Sequence, residues 1–171
     1  FLFVGSLHPR KNVQRLITAY QGINNPSVDL VIVGSAMWRD HHITVDPRGA
    51  ERIHFLGYLA QKELAEVMGS ALALAYVPYF EGFGIPLVEA MRCGIPILAA
   101  NTTCLPEIAG DAAIYCDPFN VQEIQKGLEE LIENHALKVQ LSENSKKRAA
   151  AFSWDLAAKQ SWEVIYTTAN T

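Results

Sequence analysis

Four short apolar runs, each closed by a glycine-bearing turn, constrain this chain more than any other feature. They are residues 1–4 before Gly5, 28–33 before Gly34, 53–56 before Gly57, and 71–77 before a turn that carries Gly82 and Gly84. Val28-Asp-Leu-Val-Ile-Val33 is β-branched and nearly continuous, the pattern of a strand covered on both faces in a parallel sheet. Between the runs lie stretches of helical period. Residues 13–21 place Val13, Leu16, Ile17 and Tyr20 on one side, and 61–70 are expected to turn Leu64, Ala65, Val67 and Met68 inward. Strands alternating with helices at short spacing predict a parallel sheet with helices on both faces. In such sheets ligands bind at the carboxyl ends of the strands, so all four turns are expected on one functional edge.

The remaining chain continues the pattern. A fifth strand is expected at 95–99, with Pro96 suited to a strand start, then a polar loop with a short turn at 101–107 and a sixth strand at 112–116. Residues 117–120 read as the cap of a helix carrying Ile124, Leu128, Leu131 and Ile132. A further helix is expected at about 136–151, where Lys146, Lys147 and Arg148 read as a solvated face. Ser153 caps a last helix. Its Trp154, Trp162, Ile165 and Tyr166 exceed what a surface helix needs, which predicts packing on the sheet layer or on another part of a longer protein. Residues 35–51 read as irregular. His41 and His42 are adjacent, point in different directions and have no third ligand at metal spacing, so no metal site is expected.

With 171 residues, 50% of them apolar and 19% charged, the chain can bury the core of one domain. Its 14 Lys+Arg against 18 Asp+Glu give a net charge of −4, which offers nucleic acid no basic excess. No apolar run approaches the ~20 residues of a membrane span, and no signal-peptide pattern opens the chain. Cys93, Cys104 and Cys116 are odd in number and lack metal or redox spacing; they are expected to be reduced core thiols in a cytosolic protein. The chain begins inside a strand and without methionine. It is therefore expected to be one domain of a longer protein, holding half of a substrate site.

The segment Tyr79-Phe-Glu-Gly-Phe-Gly-Ile-Pro-Leu-Val-Glu-Ala-Met-Arg-Cys-Gly94 carries the chemistry. Pro86 suits a first helical turn and Gly94 a helix stop, with Leu87, Val88, Ala90 and Met91 as the apolar side. Strand, glycine turn and helix N-terminus together form an anion site, because the first N–H groups lack helical partners and the macrodipole is positive there. A carboxylate beside a phosphate would repel it, so Glu81 and Glu89 are better employed accepting hydrogen bonds from sugar hydroxyls. The pattern predicts a diphosphate at the turn with sugar rings held on either side. Ser6-Leu-His-Pro-Arg-Lys-Asn12 forms a second strand–turn–helix junction. It is neither a P-loop nor a dinucleotide fingerprint. Arg10 and Lys11 there are either simply solvated or face an anion, since cations near a helix N-terminus are otherwise misplaced.

The segment from Glu81 through Glu89, with Ala90, Met91 and Gly94, resembles the glutamate–seven–glutamate motif of retaining GT-B glycosyltransferases of the large GT4 family, the glycosyl transferases of group 1. Residues 5–12 look like that family's first turn, and 105–113 with Asp117 and Pro118 are also similar to it. The resemblance covers essentially the whole chain, as the C-terminal, donor-binding half of such an enzyme. It implies an α/β, Rossmann-like three-layer sandwich with a parallel sheet of about six strands, one nucleotide-sugar-binding domain over 1–171, and a last helix from about 153 that packs toward an N-terminal domain.

The resemblance also implies roles. Arg10 and Lys11 would contact the donor diphosphate at the Gly5–Ser6 turn, Lys11 stabilising charge on the leaving nucleoside diphosphate. Glu81 would bind the transferred sugar close to the reacting carbon. Gly82 and Phe83 belong to the donor loop, and the backbone N–H groups of Gly84, Ile85, Leu87 and Val88 would hold sugar and phosphate oxygens. Glu89 would take the ribose hydroxyls, and the base would lie near Gly57, Tyr58 and Leu59. Some members carry an arginine where this chain has Ser6, which places more weight on Lys11 and Arg10. No metal and no cofactor are implied beyond the nucleotide sugar.

The expected reaction moves a sugar, GDP-mannose being the leading donor, to a saccharide or lipid-linked acceptor with retention, in polysaccharide, lipopolysaccharide or glycolipid synthesis. The whole protein is expected in the cytoplasm, with room for peripheral attachment at the inner membrane face. Three rivals stand beside this reading. A glycoside hydrolase would need a raised carboxyl pKa where cations and a helix N-terminus are expected to lower it. A GT-B-fold sugar-nucleotide epimerase binds the same donors, and a non-catalytic nucleotide-binding domain would use the same crevice.

Overall fold

The computed structural model describes residues 1–24, 27–35 and 43–169. Six parallel strands form one sheet: β1 (Leu2–Val4), β2 (Leu30–Val33), β3 (Ile53–Gly57), β4 (Leu74–Tyr76), β5 (Ile97–Ala100) and β6 (Ala113–Cys116). Their order is β3-β2-β1-β4-β5-β6, with Leu2 paired to Val31 on one side and to Leu74 on the other. From β1 the chain therefore moves outward through β2 and β3, crosses back to β4, and moves outward the other way. Right-handed crossovers in opposite directions put their helices on opposite faces. Accordingly α1 (Val13–Gln21) packs beside α5 (Val121–Glu133), while α3 (Ile85–Cys93) packs beside α2 (Gln61–Ser70), α4 (Leu105–Ala109) and α6 (His135–Ala149). This is the three-layer, Rossmann-like α/β sandwich expected from the strand pattern.

The central strands are buried on both sides, with Leu2, Phe3, Leu30, Ile32, Leu74 and Tyr76 in the core. Gly34 closes β2 at φ +139, and a Cβ there would lie 1.9 Å from the Gly5 carbonyl oxygen. Only glycine lets the turns after β1 and β2 approach this closely.

Several local expectations change. The polar loop expected at 101–107 contains the start of α4, because Pro106 fits its first turn and Leu105, Ile108 and Ala109 bury an apolar side. In α2 only Met68 is fully buried and Ala65 is exposed; the helix packs against α3. Of the three cysteines only Cys116 is a core thiol; Cys104 is half-buried and Cys93 exposed at the end of α3. Arg148 is not merely solvated. Its guanidinium donates to the Ile108 carbonyl at 3.0 Å and to the Glu107 carbonyl at 2.6 Å.

The last helix, α7 (Trp154–Ala169), has no buried residue, so the expected packing on the sheet layer does not occur. Both sheet faces are already covered by the helices before it. Trp154 and Trp162 are 81% and 66% exposed. His41 and His42 lie outside the described residues. Among the described residues no cluster of three His, Cys, Asp or Glu side chains could hold a metal, and no helix is long and apolar enough to cross a membrane.

Candidate active site

The strand order reverses between β1 and β4, and Lys11 and Glu81 pair there. In parallel sheets the crevice at such a switch lies outside the strand carboxyl ends. Lys11 reaches it from the turn after β1 and Glu81 from the turn after β4. Lys11 stands at the end of a 3₁₀ turn (Pro9–Lys11) whose first N–H, that of Arg10, is capped by His8 Nδ1 at 3.1 Å. Asn12 follows in the left-handed region, φ 59, which lets α1 begin at once. The two turns are pinned together by the Tyr79 N–H, which donates to the Arg10 carbonyl at 2.8 Å.

Lys11 is 7% exposed, so it is not a solvated cation. Its ammonium donates to Glu81 Oε2 and, at 2.5 Å, to the Tyr76 hydroxyl. The Tyr76 hydroxyl in turn donates to Glu81 Oε2 at 2.7 Å. Burial pushes the Glu81 carboxyl up, but hydrogen bonds from Lys11 and Tyr76 outweigh it and leave its pKa below the ordinary value. Burial, followed by Glu81, pushes the Tyr76 phenol far up, so it stays neutral. Glu81 is thus an ionised carboxylate, able to accept a hydrogen bond but a poor proton donor.

The helix beyond Glu81 begins as expected. Gly84 is the N-cap of α3 at φ +91, where a Cβ would press to 2.8 Å from Leu105 Cδ2. The Leu87 N–H already donates to the Gly84 carbonyl at 2.9 Å in the free protein. Ile85 and Phe83 are exposed, Val88 is half-buried and Leu87 is fully buried. Glu89 sits half-buried one turn on, and burial raises its pKa. The expectation that cations and the helix N-terminus depress both carboxyls therefore holds for Glu81 and fails for Glu89, where loss of hydration dominates.

The other candidate residues share the same sheet edge at different depths. Gly5 donates its N–H to the Val33 carbonyl at 3.0 Å, Ser6 is half-buried beside it, and Arg10 is exposed at the rim. Gly57 ends β3, two strands away from β1, and Tyr58 and Leu59 follow it, with Tyr58 83% exposed. Two residues of the site escape sequence reading. Tyr76 is hidden inside an apolar run, although a tyrosine buried there must find a partner for its hydroxyl. Asn12 donates from Nδ2 to the Val77 carbonyl at 2.9 Å and the Pro118 carbonyl at 2.7 Å. From the far side the loop before α4 closes on the Glu81 turn, with Cys104 Sγ donating to the Glu81 carbonyl at 3.3 Å.

The chain is similar in sequence and fold to known proteins. The chain is 31% identical over 165 residues to O-antigen chain mannosyltransferase B of Escherichia coli, a match covering 93% of this chain and 43% of that enzyme. The chain thus spans less than half the length of that relative. Among solved structures, Anabaena HepE in complex with UDP superposes with a TM-score of 0.86 at 24% identity, over 97% of this chain and 48% of that one. The C-terminal domain of a group 1 family glycosyl transferase (LpcC) from Francisella tularensis matches 88% of this chain and 83% of its own at a TM-score of 0.72 and 22% identity. These structural matches establish the fold. The family model described as glycosyl transferases group 1 matches residues 1–148, and the chain belongs to that family.

Proposed function

We propose that this chain is the donor-binding half of a retaining glycosyltransferase that takes its sugar from a nucleoside diphosphate sugar. The observation that carries the reading is the buried Lys11–Glu81–Tyr76 cluster at the sheet's switch point, beside the glycine-capped N-terminus of α3. Lys11, exposed Arg10 and the first N–H groups of α3 are suited to a diphosphate. Glu81 is suited to hydroxyls of the transferred sugar and Glu89 to those of the ribose. In the transfer the bond between the anomeric carbon and the diphosphate oxygen breaks, its electron pair leaving on the nucleoside diphosphate. The acceptor oxygen forms the new bond on the same face and gives its proton to the departing diphosphate oxygen. Lys11, Arg10 and the α3 N-terminus would stabilise the charge that develops on the leaving group.

Mannose is favoured as the sugar by the E. coli mannosyltransferase relative, and GDP as the carrier by extension. A saccharide or lipid-linked acceptor would be bound by the remainder of a longer protein, so this chain alone should bind donor and transfer nothing. The reading is tested by calorimetric titration of the chain with GDP, UDP and ADP, repeated on Lys11→Ala and Glu89→Ala. One diphosphate should bind saturably and weaken more than tenfold in each variant, the loss expected for a charge-assisted hydrogen bond. Absence of binding by all three would overturn it.

A further inference from the structure

We propose that Tyr76 is the positioning residue of this site, its hydroxyl holding the Glu81 carboxylate in place for the donor sugar when Lys11 turns to the diphosphate. The proposal rests on the donor-binding reading above, which counts Tyr76 in the cluster but gives it no task, and adds that task.

The three members of the cluster differ in how firmly the fold holds them. Lys11 and Glu81 lie on turns, and Gly82 follows Glu81 directly. Tyr76 lies in β4, fully buried, its ring stacked on that of Phe3 in β1 with centroids 6.1 Å apart and planes inclined by 23°. The phenol is thus fixed between the two central strands, at the point where their order reverses. Its hydroxyl has one hydrogen to donate and two lone pairs to accept with. The hydrogen goes to Glu81 Oε2 and one lone pair takes the Lys11 ammonium, so one oxygen sets both charges.

The remaining carboxylate oxygen, Glu81 Oε1, has a long 3.4 Å contact with the Gly82 N–H. That oxygen is the one left for a ligand hydroxyl. A diphosphate carries more negative charge than a carboxylate and competes for Lys11. Once the ammonium turns toward it, Glu81 loses its ion pair on a glycine-bearing turn. The Tyr76 hydrogen bond to Oε2 is what then keeps the carboxylate from swinging and holds Oε1 available for the sugar.

Tyr76→Phe removes the hydroxyl and keeps the stacked ring. The measurement is the ratio of affinities for a nucleoside diphosphate and its sugar conjugate, using GDP with GDP-mannose and UDP with UDP-glucose, on the wild-type chain and the variant. A carbon-13 NMR titration of the Glu81 carboxyl accompanies it. The advantage of the sugar conjugate over the bare diphosphate should fall about tenfold, and the Glu81 titration should move to higher pH. If both ligands weaken equally, Tyr76 is structural filler and the proposal falls. A double-mutant cycle guards against a general loss of folding: Tyr76→Phe with Glu81→Gln should lose no more sugar affinity than Glu81→Gln alone, and additive losses would overturn the proposal. Should the wild-type chain bind no nucleotide while the Glu81 titration still shifts, the donor-binding reading fails and the positioning role with it. An unshifted Glu81 alongside good nucleotide binding would sink the proposal alone.

Discussion

Asn12 and Pro118 stand 106 positions apart, and the Asn12 side-chain amide donates to the Pro118 carbonyl at 2.7 Å. The same amide reaches the Val77 carbonyl at 2.9 Å, so one side chain ties the start of α1 to the end of β4 and to the loop before α5. Its backbone is left-handed at φ 59, a region asparagine tolerates better than most residues. A hydrogen-bonding strut and a backbone corner are thus combined in a residue only 2% exposed.

Asn12→Ala should therefore destabilise the chain by about 3 kcal/mol, from two buried carbonyls left unpaired and from the strain of alanine in this corner. Asn12→Gly relieves the backbone and not the lost bonds, so it should recover about 1 kcal/mol of that. Urea denaturation of the three proteins separates the two contributions. Equal stability of the alanine and glycine variants would remove the backbone half of the explanation.

The pairing of Lys11 with Glu81 has a stability consequence of definite sign. The Glu81 carboxyl lies below its ordinary value in the folded chain. A carboxyl of this kind adds stability above its unfolded value of 4.5, and the contribution disappears as pH falls through the lower folded value. Wild-type stability should decline over that acid window, and Glu81→Gln should lack this part of the decline. Lys11→Met, which strands the carboxylate, should cost about 3 kcal/mol at pH 7, and adding Glu81→Gln should recover most of it. Chemical denaturation between pH 3 and 7 gives all these quantities.

The parts of this site that sequence revealed are those whose residue type is unusual for its place. Glycines after apolar runs located the sheet edge, and glutamates around a glycine turn located the turn that leads into α3, because both patterns are local. Tyr76 was not legible, since a tyrosine in a buried run resembles any other large apolar residue until its hydroxyl's partners are known. Lys11 was legible as a cation near a site but not as one buried against Glu81, 70 residues away. Arg148 is not legible for the same reason: on a polar helix it resembles its neighbours, and its partners, the Glu107 and Ile108 carbonyls, lie about 40 residues earlier. The exposed aromatics of α7 mark where amphipathic density stops predicting burial within this chain, because the sheet they would cover is already occupied.

Arg148 terminates α4 from outside, giving donors to two carbonyls that a short helix leaves unsatisfied, while its guanidinium lies 5.4 Å from the centre of the Phe152 ring. Arg148→Ala should cost about 1–2 kcal/mol by thermal or urea denaturation. Arg148→Lys should restore little of it, because an ammonium lacks the planar fork that reaches both carbonyls. Full rescue by lysine would mean that charge alone matters there.

Glu89 offers the sharpest test of which ring each glutamate holds. Burial raises its pKa, so it takes up a proton at a higher pH than an ordinary glutamate, whose value is 4.5. Ribose hydroxyls donate their hydrogens, and only the ionised carboxylate can accept from both without giving up an oxygen to its own proton. Nucleotide affinity should therefore fall as pH drops from neutrality through the raised Glu89 pKa, and binding in that window should release protons. Glu89→Gln should bind roughly tenfold more weakly at pH 7 and show no corresponding fall. The phosphates of the nucleotide titrate in both proteins, so the difference between their profiles isolates the carboxyl. Titration calorimetry in two buffers of different ionisation enthalpy measures the affinity and the proton count together. Parallel profiles would place the ribose away from Glu89; divergence that begins above pH 4.5 places it there, because no other half-buried carboxyl on α3 titrates in that range.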